Sequence, residues 1–306
     1  MNTIFPICLL VLLGYVLKKT EFISKTTQYE MNQLAFKILI PVNLMQSIIK
    51  TDINSVFNMK LIIFCIVSVL MIVLFSMMFV NKITSDKSKQ GVIVQGLNRT
   101  NYVLLAIPIC ESLCGSDSIG VTALLVSIIV PILNLLAVLV LQYYSGGSKT
   151  IKQTIISILK NPMIIASIAG LLVQLLHIPI EGFVASVINK ISSCATPIAL
   201  IVLGATIELS NMKKNKNLII IFNILKLMLI PIIVIFISVF IFNYKGIELA
   251  SILVLFAGPV AVSSFPMAQS MGGDGKLAAE IVFTTTIMCL FTLFVWIVLL
   301  SSCHML

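Results

Sequence analysis

Residues 98–117, NRTNYVLLAIPICESLCGSD, have the length and apolar content of a membrane-spanning helix, yet they include residues that hydrocarbon disfavours. Arg99, Asn101 and Glu111 are charged or polar, and Pro108 removes a backbone donor from the middle of the stretch. A charge near the centre of a bilayer costs roughly 2.5–3.5 kcal/mol on insertion scales, so ionisable groups at that depth are usually functional. The stretch therefore predicts a broken membrane helix beside a functional site.

A second stretch with the same character lies near the C-terminus, at residues 258–274, GPVAVSSFPMAQSMGGD. Pro259 and Pro266 interrupt it, and Ser263 and Ser264 lie between them. In a membrane, the carbonyls that proline leaves unpaired must find partners inside the protein. Two polar, proline-interrupted spans in corresponding halves of a chain are typical of the substrate site of a secondary transporter.

The composition places this chain among integral membrane proteins. Of its 306 residues, 59% are hydrophobic and only 10% are charged, against about 25% charged in ordinary soluble domains. The net charge of +9 comes from lysines in short loops and forms no basic face, so no nucleic-acid partner is expected. The seven cysteines are odd in number and contain no C-x-x-C, which argues against a disulfide framework and a zinc site.

About ten apolar runs are long enough to span a bilayer, and the short loops between them leave no room for a soluble domain. The lysines fall mainly in loops after the odd-numbered runs, which predicts that those loops are cytoplasmic and that both termini face outside. We therefore expect a multi-pass protein of the plasma membrane. The runs are roughly 2–17, 28–49, 60–80, 91–113, 119–143, 162–178, 183–208, 217–242, 247–270 and 277–301.

Prolines recur in the two halves at a nearly constant offset, which indicates an internal repeat. The matched pairs are Pro6 with Pro162 and Pro41 with Pro197 at an offset of 156, and Pro108 with Pro266 at 158. Because each repeat holds five spans, an odd number, the second must be inverted relative to the first. The predicted organisation is a repeat at 1–143, a cytoplasmic loop at 144–161 and an inverted repeat at 162–306.

An inverted pair with a broken fourth span in each repeat predicts that the fourth and ninth spans cross near the midplane. Half-helix N-termini at such a crossing carry partial positive charge and favour an anionic group. The helix breaks are expected at the prolines of these and the neighbouring spans, namely Pro41, Pro108, Pro197, Pro259 and Pro266.

The run that begins at Asn101, NYVLLAIPICESLCGSD, resembles the fourth span of the auxin efflux carrier family, with its pattern N-x-x-x-x-G-x-P before a glycine-acid turn. Asn101 and Pro108 keep that spacing, whereas Ala106 replaces the usual glycine. The runs NPMIIASIAGLL, ATPIALIVLGATIEL and PVAVSSFPMAQSMGGD are similar to that family's sixth, seventh and ninth spans. The resemblance extends over essentially the whole chain.

The resemblance implies an all-α polytopic membrane protein of ten helices in two inverted repeats, with crossover helices and an elevator-like motion between a scaffold and a transport domain. The family includes plant PIN-type auxin exporters and bacterial permeases proposed to carry malate, malonate or other carboxylates. Since the chain lacks the long central loop of the larger plant members, it is more similar to the bacterial organic-anion permeases. The resemblance also implies that Asn101 contacts the substrate carboxylate, and it fits a homodimer formed through scaffold helices.

Several residues near the crossing are candidates for substrate contact. The amide of Asn101 can donate to a carboxylate, although a helix–helix hydrogen bond would also explain it. Arg99 can clamp an anion or extend to the interface. Ser263 and Ser264 can donate at the second break or simply pack there, and Pro266 and Pro108 would shape the site.

Three further charges are candidate coupling or charge-partner residues. Glu111, three residues after Pro108, is a candidate proton carrier or a wet vestibule residue. Lys226, deep in the eighth span, needs a carboxylate partner or an anion, and Lys37 lies four residues before Pro41. No cofactor or metal is expected, and H+, Na+ or no ion remain as alternatives for coupling.

Rival functions remain at this point. The same fold serves sodium- or proton-coupled carriers of other cargo, such as bile-acid transporters and cation/proton antiporters, and a channel or a non-transporting membrane sensor is a further alternative. An enzyme is not expected, because GGDGK at 272–276 lacks the P-loop spacing and neither H-E-x-x-H nor G-x-S-x-G occurs.

Overall fold

The computed structural model describes residues 4–50, 58–115, 118–145, 156, 159–176 and 178–306, and all regular structure within these residues is helical. The connecting loop predicted at 144–161 falls mainly outside the described residues, as do residues 116 and 117 of the first stretch. The helices are α1 (Ile4–Lys19), α2 (Lys25–Leu34), α3 (Ile40–Ile49), α4 (Met59–Ile83), α5 (Lys87–Asn98), α6 (Tyr102–Cys114), α7 (Ser118–Tyr144), α8 (Pro162–Leu175), α9 (Gly182–Thr206), α10 (Leu209–Lys214), α11 (Lys216–Ile224), α12 (Ile230–Phe240), α13 (Gly246–Ala257), α14 (Ser264–Ser270) and α15 (Gly275–Ser302).

Five helices in the described part of the chain are long and apolar enough to cross a membrane. Each has at least 25 residues, or about 38 Å at 1.5 Å per residue, against a hydrocarbon core of about 30 Å. Large apolar side chains such as Phe75 and Met78 are exposed on their outer faces, which suits lipid rather than water. The five are Met59–Ile83, Gly120–Tyr144, Gly182–Thr206, Lys216–Phe240 and Gly275–Ser302.

In two places a π turn joins two α-helices just before a proline. The turns Ala35–Leu39 and Leu225–Leu229 join α2 to α3 and α11 to α12, and each ends at a leucine that is followed by Ile-Pro. Pro41 and Pro231 have no N–H, so each helix lacks the backbone hydrogen bond that this residue would donate to the carbonyl four residues earlier. One wider π turn before the proline accommodates the missing bond. The break expected at Pro41 is therefore wrong, since the helix widens and continues.

Both polar stretches contain a non-helical segment, but at other positions than expected. α5 and α6 are separated by residues 99–101, and α13 and α14 by residues 258–263, which include Pro259. The breaks expected at Pro108, Pro266 and Pro197 are wrong, because all three prolines lie inside continuous helices. Pro266 is the third residue of α14, in a first turn whose N–H groups have no intrahelical partner, and single interior prolines are tolerated in membrane helices.

The helices form two packing groups. The first helix group consists of α1, α2, α3, α8 and α9, and the second consists of α4–α7 and α11–α15; each packs mainly within itself. Glycines allow the closest approach in the first group, because a Cβ on Gly14 would lie 2.0 Å from the carbonyl oxygen of Ile201, and one on Gly204 would lie 1.9 Å from that of Val11. Small residues of this kind let membrane helices approach backbone to backbone.

Candidate functional site

The two unwound segments touch each other. The backbone N–H of Asn101 donates to the carbonyl oxygen of Pro259 at 2.9 Å. Gly258 is needed at this contact, because a Cβ there would lie 2.6 Å from Cγ2 of Thr100. A backbone hydrogen bond thus joins the short non-helical segments from the two halves of the chain. Buried backbone groups outside a helix need such partners.

A cavity of about 80 Å³ lies beside this contact, between the two helix groups. Residues of both helix groups form its polar wall. The first helix group contributes Asn43, Ser47 and Thr196, and the second contributes Arg99, Thr100, Asn101, Asn134 and Ser263.

Arg99 is the charged residue of the cavity wall, and it is only 4% exposed. Its Nη2 donates to Oδ1 of Asn134 at 2.7 Å and to Oγ of Ser263 at 2.6 Å, and its Nη1 lies 3.3 Å from the sulfur of Met267. These partners are all neutral, and no carboxylate in the described part of the chain pairs with Arg99. A buried charge without a counter-charge is costly, and a bound anion would offset that cost.

The N-terminus of α6 adds to this positive character. Asn101 precedes the first turn, lines the cavity and makes no side-chain hydrogen bond to cap the helix. Tyr102 and Val103 also line the cavity, so the first turn, with its N–H groups and the positive end of the helix dipole, borders it. A carboxylate is the kind of ligand that such a helix end binds.

Comparison with known proteins gives the family. The family model described as "Membrane transport protein" matches residues 1–297. The chain belongs to this family. It is the auxin efflux carrier family that the sequence resembles, as predicted. A protein of Methanothermobacter thermautotrophicus described as an uncharacterized transporter is 22% identical over 302 residues, which cover 98% of each chain.

Lys226 of this membrane transport protein is buried and lies behind the cavity wall. Only 1% of it is exposed, and its Nζ donates to the carbonyl oxygen of Leu97 at 3.1 Å and to Oγ1 of Thr100 at 2.8 Å. Lys226 pairs with no carboxylate of the described residues, and its side chain does not line the cavity. The reason is that the unpaired carbonyls at the end of α5 already attract a cation.

Glu111, Pro108 and Lys37 lie away from the cavity of the transport protein. All three are exposed, and none lines the cavity wall. Glu111 is in the last turn of α6, where its carbonyl accepts from the N–H of Gly115 at 2.9 Å. The structure therefore does not bring these residues together with Arg99.

The remaining predicted residues lie at the second unwound segment and at the start of α14. Ser264 and Pro266 are buried in α14 but do not line the cavity, whereas Ser263 does. Nε2 of Gln95 donates to the carbonyl oxygen of Ser264 at 3.0 Å and so ties α14 to α5.

Sequence reasoning missed two polar residues at or next to the site. Asn134 interrupts the apolar run VPILNLLAV, and the same rule that singled out Asn101 would have found it. Asn98 ends α5, is 5% exposed, and neither atom of its amide has a hydrogen-bond partner within the described residues. A buried amide in that state calls for water or a ligand.

A polar seam runs between α3 and α9 of the transport protein and begins at the cavity. On α3, Asn43, Gln46 and Lys50 follow at helical spacing, and they face Ser192 and Asn189 on α9. Nδ2 of Asn43 donates to Oγ of Ser192 at 2.9 Å, Gln46 donates to Asn189, and Nζ of Lys50 donates to Oδ1 of Asn189 at 3.0 Å. The polar seam thus leads from the cavity to a lysine at the end of α3.

Proposed function

We propose that this protein is a secondary transporter that moves a small organic carboxylate, such as malate, malonate or an auxin-like acid, across the plasma membrane. The observation that carries the proposal is the guanidinium of Arg99, which is buried, has only neutral partners and lines the cavity. Removing an unpaired charge from water costs several kcal/mol, and a bound carboxylate would offset that cost.

In this proposal, the anion lies against Arg99 and the first turn of α6. The side-chain amide of Asn101 supplies a neutral donor, and Oγ of Ser263 holds the guanidinium in place. A cation would meet the positive end of α6 and the guanidinium in this cavity, which disfavours a cation antiporter with its site there.

We further propose an elevator-type motion. The cavity lies where the two helix groups meet, and all of its charge comes from the second group. If the second helix group slides along the first, Arg99, Asn101 and Ser263 travel together, while Asn43, Ser47 and Thr196 stay with the scaffold. The close α1–α9 contact at Gly14 and Gly204 supports the first helix group as the fixed part.

The proposed topology is ten spans in two inverted repeats, with both termini outside. Helices α5 and α13 support it, because each has 12 residues and each ends at an unwound segment. The residue numbers at which they begin differ by 159. The first helix group, as the fixed part, would also form the interface of a homodimer.

Counterflow in proteoliposomes tests the function. Labelled malate is placed outside and single unlabelled carboxylates inside, and we expect accumulation of label with the transported carboxylates. The Arg99→Gln variant serves as the inactive control. No exchange with any carboxylate, in protein shown to be folded by size-exclusion chromatography, would remove the carboxylate carrier and favour the cation carrier or the sensor.

A further inference from the structure

The end of α5 is a place where a broken-helix transporter would normally hold a cation. The last carbonyls of a helix lack intrahelical partners and carry partial negative charge. In transporters with discontinuous helices, such carbonyls and unwound backbone coordinate Na+. Here α5 ends at Asn98, inside the second helix group and next to the unwound residues 99–101.

The chain itself supplies a cation to that place. Nζ of Lys226 lies 3.1 Å from the carbonyl oxygen of Leu97 and 2.8 Å from Oγ1 of Thr100. A carbonyl and a hydroxyl oxygen are neutral, hard ligands of the kind that also suit a small monovalent metal ion. Both Na+ and an ammonium group carry one positive charge, so either would balance the same helix end.

The backbone around Lys226 is built to hold the side chain there. Pro231 has no N–H for the carbonyl of Leu227, four residues earlier, and Nε1 of Trp296 donates to that oxygen instead, at 3.2 Å. The π turn Leu225–Leu229 rotates the helix by an extra residue just where the lysine leaves it. With 1% exposure, the side chain is buried in this conformation.

We infer that Lys226 is a built-in cation that takes the place of a coupling Na+ at the end of α5. The carrier then needs no Na+, and a variant that lacks the side chain has a vacant, oxygen-lined site that accepts Na+. This inference rests on the proposed function only for its consequence in transport, because the cation site itself can be measured in purified protein without any substrate.

The first test uses the Lys226→Ala variant in detergent. Its thermal midpoint and the fluorescence of Trp296, the single tryptophan of the chain, are titrated with NaCl against choline chloride at constant ionic strength. We expect Na+ to raise the midpoint of the variant by at least about 2 °C and to change the Trp296 signal saturably. Ammonium chloride, which restores the missing group, is expected to act in the same direction.

Three controls separate this effect from a general one. The wild-type protein and Lys226→Arg, which keep the positive charge, are expected to show no Na+-specific response. Lys37→Ala removes an exposed lysine from the other π turn and is expected to respond like the wild type. A Na+-specific shift in the wild type, or none in folded Lys226→Ala, would overturn the inference. If the alanine variant does not fold, Lys226→Gln is titrated in the same way.

The second test measures flux. Counterflow by the wild type is expected to be equal within about twofold in Na+ and in choline buffers, whereas residual counterflow by Lys226→Ala is expected to increase with Na+. A wild-type flux that requires Na+ would overturn the inference. Absence of carboxylate flux in every buffer would instead contradict the proposed function, and the titrations would still decide the role of Lys226.

Discussion

Arg99 and Lys226 lie one behind the other beside the contact of the two unwound segments, and they differ in what surrounds them. Lys226 binds oxygens at a helix end and is turned away from the cavity, whereas Arg99 lines the cavity. Only the guanidinium is therefore placed to meet a ligand. Both charges are buried with neutral partners, which is costly and marks them as candidates for a functional role.

Replacement of Arg99 by Gln is expected to lower carboxylate transport by at least about 30-fold, since the loss of one partner of a buried charge pair costs about 2 kcal/mol or more. The thermal midpoint in detergent is expected to stay equal or to rise, because the variant no longer buries an unpaired charge. Counterflow and thermal unfolding of the same preparation check both parts. A variant that transports normally would contradict the assignment.

Replacement of Asn101 by Ala is expected to raise the KM for the carboxylate about 10–100-fold, as expected for a lost hydrogen bond to a charged group. Pro108→Ala is the matched control on the same helix, because Pro108 is exposed and does not line the cavity. Its KM is expected to change by less than about twofold. Equal losses in both variants would point to the helix rather than to the amide.

At the scale of elements, the helix ends were harder to predict from the sequence than the helices themselves. The apolar runs coincide with the long helices, and each of the two polar stretches contains an unwound segment. The break near Asn101 was expected at Pro108, because a proline is visible in a sequence, whereas the contact of Thr100 with Gly258 that fixes the actual position is not. Likewise, the partner of Lys226 lies 129 residues away in the chain.

The polar seam between α3 and α9 makes a prediction at this scale. Lys50→Gln is expected to reduce kcat/KM about 2–5-fold at low ionic strength, because a lysine at the end of the seam attracts an anion. The effect should shrink at 0.15 M salt, where the Debye length is about 8 Å. Lys60→Gln, an exposed lysine at the start of α4, is the control. A salt-independent loss would indicate a structural role for Lys50.

At the scale of the whole molecule, neither half of the chain can complete a packing group. The first helix group combines α1–α3 with α8 and α9, and the second combines α4–α7 with α11–α15. We expect residues 1–161 and 162–306, expressed separately, to be degraded or to aggregate, and co-expression of both pieces to restore a folded complex. Purification through a tag on one piece checks this. A stable, monodisperse half would contradict the packing scheme.

The hydrogen bond between the N–H of Asn101 and the carbonyl of Pro259 joins residues that are 158 positions apart. During synthesis, the segment that contains Asn101 leaves the ribosome long before the segment that contains Pro259. Its charge and its unpaired amide must then be sheltered by water, by lipid headgroups or by the insertion machinery. Assembly of the site is therefore a late step in biogenesis, and the newly made chain should be most sensitive to membrane proteases before residues 258–263 have been made.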